Sequence, residues 1–370
     1  MGNTRQAGHA ETIDRVTARA CTIPTDRPEA DGTLSWTETT LVVVEISAND
    51  ATGLGYTYAD AAIVPLIDTT LAPLLAGQDP MRIGRIGAIL WGAARNLGRS
   101  GLAACAISAL DIALWDLKAK LLGLPLATLL GAHRTAVPVY GSGGFTSYDD
   151  DTLRDQLAAW VTRDGCSAVK MKIGSNPARD PARIAAARDA IGPAALFVDA
   201  NGAFDPRTAL RQAPMLREAG VTWFEEPVSS DDREGMAFVR TRIGGGIDIA
   251  AGEYAYTIDD SRLMLEARAT DVLQADITRC GGVSGFLQAA SLCDAFHIDL
   301  SGHCAPAAHL HAACAAPRFR NLEWFHDHVR IEAMLFDGAP RVSGGVIAPD
   351  LDRPGHGLSF RKEAAERYAV

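Results

Sequence analysis

From Val137 onward, short apolar runs alternate with amphipathic stretches. The runs are VPVYGSG, AVKMKI, LFVDAN, VTWFEEP, IDIAAGE, DVLQAD, IDLSGH and NLEWF, each of strand length and rich in β-branched or aromatic residues. Between them, apolar positions recur with helical spacing near residues 152–163, 181–190, 206–219, 231–241, 257–268, 282–296 and 305–315. Eight strands joined by seven helices predict an α/β class with a parallel sheet. Eight repeats within about 190 residues favour a closed (β/α)8-type barrel, a modified TIM barrel, over an open doubly wound sheet. No eighth helix stands out.

The first third has a different texture. Strand-like runs at 13–21 (IDRVTARAC) and 36–47 (WTETTLVVVEIS) are separated by TDRPEADGT and followed by a turn at ANDATGLG. Helical patterns follow at 60–75, 82–96 and 102–122, the last so rich in Ala and Leu that burial on most sides is expected. These elements predict an α+β capping domain over residues 1–130, a barrel over 131–329, and a turn-rich segment over 330–370 that returns to the cap. Residues 1–10 are expected to form a loose tail.

The 370 residues, 48% hydrophobic and 22% charged, describe a globular chain able to bury a large core. A net charge of -10, with no dense Lys/Arg run, argues against a nucleic-acid surface. Seven scattered cysteines without a C-x-x-C pair suit a reducing cytoplasm. No signal-peptide core and no membrane-length apolar span is present.

Barrel enzymes place their chemistry at the carboxyl ends of the strands, and the polar residues there form a series. The second strand carries Lys170 and Lys172, the third Asp199 with Asn201, the fourth Glu225, the fifth Glu253, the sixth Asp276, the seventh His303 and the eighth Glu323. Asp199, Glu225 and Glu253 are expected to converge and repel, which a hard divalent cation relieves; oxygen-only donors favour Mg²⁺ over zinc. The two lysines share a strand face, and Lys170 is expected to depress the pKa of Lys172 toward neutrality, making it a base. Asp276 is placed to orient His303 and raise its basicity.

With these residues the chain resembles the enolase superfamily, and within it the mandelate racemase subgroup. The stretches that carry the resemblance are VKMKIG, VDANGAF, WFEEP, AAGE, QADITRCGGVSG, SGHCAP and NLEW. It implies that Asp199, Glu225 and Glu253 bind Mg²⁺, and that Lys172 and His303 are acid/base catalysts on opposite faces of the substrate, with Asp276 paired to His303. It further implies that Lys170 contacts the substrate carboxylate, that Asn201 lies near the substrate, and that a protonated Glu323 donates to the developing enediolate. The implied reaction is proton abstraction next to a carboxylate. Dehydration of a sugar acid, aldonate or aldarate, is the favoured outcome, with racemisation, epimerisation or lactone cycloisomerisation as alternatives. The partner is a small-molecule carboxylate, and the protein is expected to be a homo-oligomer, dimer to octamer.

Two readings from other classes compete. HLH at 309–311 and HDH at 326–328 could be zinc ligands of a barrel hydrolase, although both lie late in the chain. A non-catalytic oligomeric binding barrel would have no physical need for so many mutually repelling groups.

Overall fold

The computed structural model describes residues 12–370, and the tail expected at 1–10 lies outside them. β1 (Arg15–Ala30) and β2 (Ser35–Ala48) form a long antiparallel ribbon, with Cys21 opposite Leu41 and Glu29 opposite Trp36. The register breaks between Pro24 and Glu29, where proline removes a ladder donor. Pairing then resumes up to a turn closed by Asp31, whose Oδ1 accepts from the Thr33 and Leu34 amides at 2.6 and 2.7 Å. TDRPEADGT, expected as a separator, is therefore the outer end of the ribbon.

A third strand, β3 (Ala51–Tyr58), occupies most of the segment expected as a turn, leaving Asn49 and Asp50 as the hairpin loop. Glycine disguises it. A Cβ at Gly53 would lie 2.1 Å from the Ala113 carbonyl oxygen, and one at Gly55 would lie 2.1 Å from that of Ala109. The two glycines thus let the helix Leu102–Leu121 lie directly on the strand. That helix is buried along most of its length, as its composition predicts.

The barrel consists of β4 (Val137–Gly143), β5 (Ala168–Lys172), β6 (Ala195–Asp199), β7 (Val221–Glu225), β8 (Asp248–Ala251), β9 (Val272–Ala275), β10 (Asp299–Gly302) and β11 (Phe319–Phe325). They lie side by side in chain order, all parallel, and β11 closes onto β4 with Leu322 opposite Val139. Tyr140, Phe197, Trp223, Ala250 and Val272 pack together inside the barrel, with Phe197 stacked 4.9 Å from Trp223. All seven expected helices are present, from Asp150–Thr162 to Pro306–Ala315, and an eighth, His326–Leu335, follows β11. Its buried positions include Asp327, His328 and Glu332 beside Ile331 and Leu335, which breaks the apolar spacing that marks the other helices. Glu332 is answered by Tyr56, whose hydroxyl donates to Oε1 at 2.5 Å, and by the Ala307 amide at 3.1 Å.

The tail returns to the capping unit. The Val370 amide donates to the Ala20 carbonyl at 3.2 Å, and Asp116 in the long helix accepts from the Leu54 and His356 amides at 2.8 Å each. No helix among the described residues is long and apolar enough to cross a membrane.

Candidate active site

Alternation along β5 turns Lys170 and Lys172 inward while Val169 and Met171 join the core outside the barrel. Carboxylates answer the paired ammonium groups. Lys170 Nζ donates to Glu225 Oε1 and lies 2.8 Å from Glu323 Oε1, and Lys172 Nζ donates to Asp199 Oδ2 at 2.5 Å. Burial works to lower the pKa of Lys172, but the Asp199 carboxylate outweighs it and the value is raised above that of an ordinary lysine. Lys170 opposes this rise, in the direction expected, while Asp199, itself a candidate metal ligand, drives it. Lys170 itself is wholly buried behind Glu225 and Glu323 and, like Asp199 and Glu225, lies beneath the residues that line the cavity.

Asp199 ends β6, Glu225 ends β7 and Glu253 follows β8. All three are buried, with one ligand atom from each lying within 4.8 Å of the others. Burial works to raise the Asp199 carboxyl, but Lys172 and Lys170 prevail and hold it at about 2. Burial and the charge of Asp199 push Glu225 well above the carboxylate range. Asn201 adopts a positive φ of 46°, a conformation asparagine tolerates, and its amide donates to Asp199 Oδ1 at 2.9 Å. The sequence reading missed Glu226, which is buried at φ 36° with one carboxyl oxygen unpartnered. The doubled Glu in WFEEP was the available signal.

His303 follows β10, and its Nδ1 lies 2.9 Å from Asp276 Oδ2. The Thr278 amide and hydroxyl donate to the other Asp276 oxygen at 2.8 and 2.7 Å. Burial works to raise the Asp276 carboxyl, but His303 and Arg279 hold it below the usual range. A carboxylate on Nδ1 fixes the ring so that Nε2 is left for the cavity. Glu323 accepts from the Ser142 hydroxyl at 2.5 Å and the Cys304 amide at 3.0 Å. Burial opposes its charge, but Lys170 and His303 hold it well below the carboxylate range. In this structure it accepts these bonds, and the donor role toward the developing enediolate stays an expectation.

The histidines of the zinc reading are dispersed. His309 Nε2 accepts from the Ile277 amide and His311 Nδ1 from the Ala127 amide, each at 3.0 Å. His326 pairs with Asp26 at 3.0 Å, whereas His328 Nδ1 accepts from the Ala305 amide at 3.2 Å.

A cavity of about 410 Å³ opens over the strand ends, lined by Lys172, Asn201, Glu253, His303 and Glu323 from the barrel. Its other wall was not legible in the sequence and comes from the capping unit, with Asp31, Trp36, Glu38, Thr39 and Thr40 on the ribbon and Tyr58 and Asp60 at the end of β3. Gly32 makes the ribbon's approach possible, because a Cβ there would lie 2.2 Å from the Ala200 carbonyl oxygen and 2.7 Å from that of Ile173. Trp36 meets Phe145 edge-on at 5.7 Å, and Phe145 meets Phe325 in the same way at 5.7 Å.

A closed barrel whose strand ends gather two lysines, three acids and an Asp/His pair beneath a cap defines an enzyme working on small carboxylates. The chain belongs to the enolase superfamily, in its mandelate racemase and muconate lactonizing enzyme group. Residues 152–365 match the family described as Enolase C-terminal domain-like, and residues 15–131 match the Mandelate racemase / muconate lactonizing enzyme, N-terminal domain. The chain is 35% identical to L-talarate/galactarate dehydratase of Salmonella typhimurium, over 99% of this chain and 93% of that protein. It superposes with a TM-score of 0.95 on a mandelate racemase/muconate lactonizing enzyme-like protein from Rubrobacter xylanophilus, at 48% identity, covering 97% of this chain and 100% of the other. A racemase from Streptomyces coelicolor A3(2), solved with bound magnesium, matches with a TM-score of 0.91 and 32% identity over 97% of this chain and 100% of that one.

Proposed function

We propose that this protein dehydrates a sugar acid, beginning with Mg²⁺-dependent removal of the proton next to the carboxylate. The observation that carries this reading is the placement of Lys172 and His303. Both line one cavity, from β5 and β10, with β4 and β11 between them on one side and β6 to β9 on the other. Two proton carriers facing each other across a substrate are what stepwise loss of a proton and a hydroxyl requires. The Salmonella typhimurium relative supports dehydration of a sugar acid as the outcome.

The donor set fits magnesium. Asp199, Glu225 and Glu253 offer only carboxylate oxygens, and Glu253 Oε2 is buried without a hydrogen-bond partner. Bound there, magnesium would neutralise the acids and withdraw charge from the substrate carboxylate, acidifying the neighbouring C–H bond. With Asp199 engaged as a metal ligand, the charge that holds the proton on Lys172 would be offset; as the free amine, Lys172 then takes the α proton, and the electron pair left on carbon spreads over the carboxylate oxygens. The β-hydroxyl then leaves as water with a proton from His303 Nε2, and the enol that remains tautomerises to a 2-keto acid. Asp276 accepts from Nδ1–H, so the proton delivered is the one that His303 carries on Nε2 as the imidazolium. Where no β-hydroxyl is present, reprotonation from the opposite side gives racemisation or epimerisation, a second reading supported by the Streptomyces coelicolor racemase.

The test is α-proton exchange into D₂O together with 2-keto acid formation across a library of aldonic and aldaric acids. Lys172→Ala is expected to abolish α-proton exchange and His303→Asn to leave exchange in place while blocking loss of the hydroxyl, each lowering turnover by at least about a hundredfold. Full exchange persisting in both variants would sink the two-carrier scheme. A homo-oligomer, dimer to octamer, belongs to the same proposal, and light scattering on the full chain measures it.

A further inference from the structure

The charge around the cavity is unevenly distributed. Lys172 and Arg279 are the lysine and arginine in its wall, and both sit at the reacting end. Lys172 is paired to Asp199. Arg279 Nε lies 3.4 Å from Asp276 Oδ2, and its Nη1 lies 3.6 Å from Glu253 Oε1. His328 is neutral: burial lowers it to about 3, its Nδ1 accepts from the Ala305 amide, and its ring stacks on Tyr58 at 3.4 Å. The wall contributed by the capping unit carries Asp31, Glu38 and Asp60 and no lysine or arginine among the described residues.

We propose that the substrate is a monocarboxylate with an uncharged hydroxylated tail, an aldonate, and that aldaric acids are discriminated against by this acidic wall. The inference rests on the sugar-acid reading above. A sugar acid held by its reacting carboxylate at the barrel mouth extends its far end toward the cap. Hydroxyl groups arriving there donate to carboxylates, which are acceptors only. Asp31 is well prepared for this, because the Thr33 and Leu34 amides fix its Oδ1 and the residue is 9% exposed. Thr39 and Thr40 add hydroxyls to the same wall. A second carboxylate would instead meet three like charges with no lysine or arginine on that wall among the described residues to offset them, which makes specificity in part repulsive.

The experiment compares galactonate with galactarate and gluconate with glucarate. On the Mg²⁺-loaded wild type it reads kcat/KM for 2-keto acid. On the Mg²⁺-loaded Lys172→Ala variant, which the proposed chemistry leaves unable to turn over, it reads affinity by titration calorimetry. The monoacid of each pair is expected to lead by at least about tenfold in both readouts. In the Glu38→Gln/Asp60→Asn double variant, which keeps the acceptor oxygens and removes two charges, this ratio is expected to shrink severalfold. Diacids that bind and react as well as their monoacid partners overturn the inference. Preferential binding of monoacids with no turnover of any sugar acid sustains it and defeats the dehydratase reading. Absence of binding by all four acids defeats both.

Discussion

Glu29 shows how single buried groups set the response of this protein to pH. Its side chain is fully buried, Oε2 accepts from the Trp36 indole at 2.9 Å, and Oε1 has no partner. Burial and the nearby Asp327 push its pKa from 4.5 to about 8. The folded protein therefore holds this proton more tightly than the unfolded chain does. Stability falls as pH rises from about 4.5 to about 8 and is level above that. Glu29→Gln removes this dependence. The variant is expected to melt close to wild type at pH 4 and above it at pH 8.5, by up to a few kcal/mol, as read from melting temperature against pH. A variant curve parallel to wild type across this range would contradict the assignment. Because Trp36 lines the cavity, its fluorescence is expected to titrate near the same pH in wild type alone. At this scale the sequence was informative about kind and poor about state. Lys172, Asp199 and His303 were legible as strand-end residues, but the protonation of Lys172 and Glu323 depends on which buried neighbour lies within 3 Å, and no spacing rule encodes that.

Among the elements, the capping ribbon supplies much of the cavity wall that faces the barrel mouth. Hydrogen bonds that tie it to the barrel mouth include those from the Thr146 amide to the Ala30 carbonyl at 2.8 Å, from the Thr146 hydroxyl to the Asp31 carbonyl at 2.8 Å, from the Ser147 hydroxyl to the Pro28 carbonyl at 2.7 Å and from the Thr33 hydroxyl to the Asn201 carbonyl at 3.3 Å. Gly32 sits at the closest approach, so Gly32→Ala must lift the ribbon away from Ala200 and Ile173. The expected result is a KM increase of about tenfold, with a melting temperature within a few degrees of wild type, since the ribbon tip is a small part of the core. Steady-state kinetics beside a thermal melt checks it, and an unchanged KM would contradict the ribbon's part in the site. The elements that were hard to read share one cause. β3 and the helix His326–Leu335 are shaped by what they touch, glycines under a helix in one case and buried Asp, His and Glu in the other. Their local patterns therefore depart from simple apolar periodicity.

Across the whole molecule, cap, barrel and tail are joined by buried polar contacts as well as by apolar packing. Asp116 accepts from the amides of Leu54 and His356 and pairs with Lys120 at 2.6 Å, linking strand, tail and helix. Asp116→Ala would leave two buried amides unpaired and is expected to cost about 3 kcal/mol, measured by chemical denaturation. A loss below about 1 kcal/mol would mean that packing alone holds the tail. The eight apolar runs, the helices between most of them and the order of acids and bases at their ends were all set by the linear sequence, because strand length, side-chain alternation and barrel topology are local or nearly local rules. The tertiary structure alone decided which carboxylates pair with which lysines and how closely the ribbon approaches the barrel mouth. It alone showed that the wall the capping unit adds to the cavity is acidic. These are distances between residues far apart in the chain, and only closing the barrel beneath its cap brings them within reach of one another.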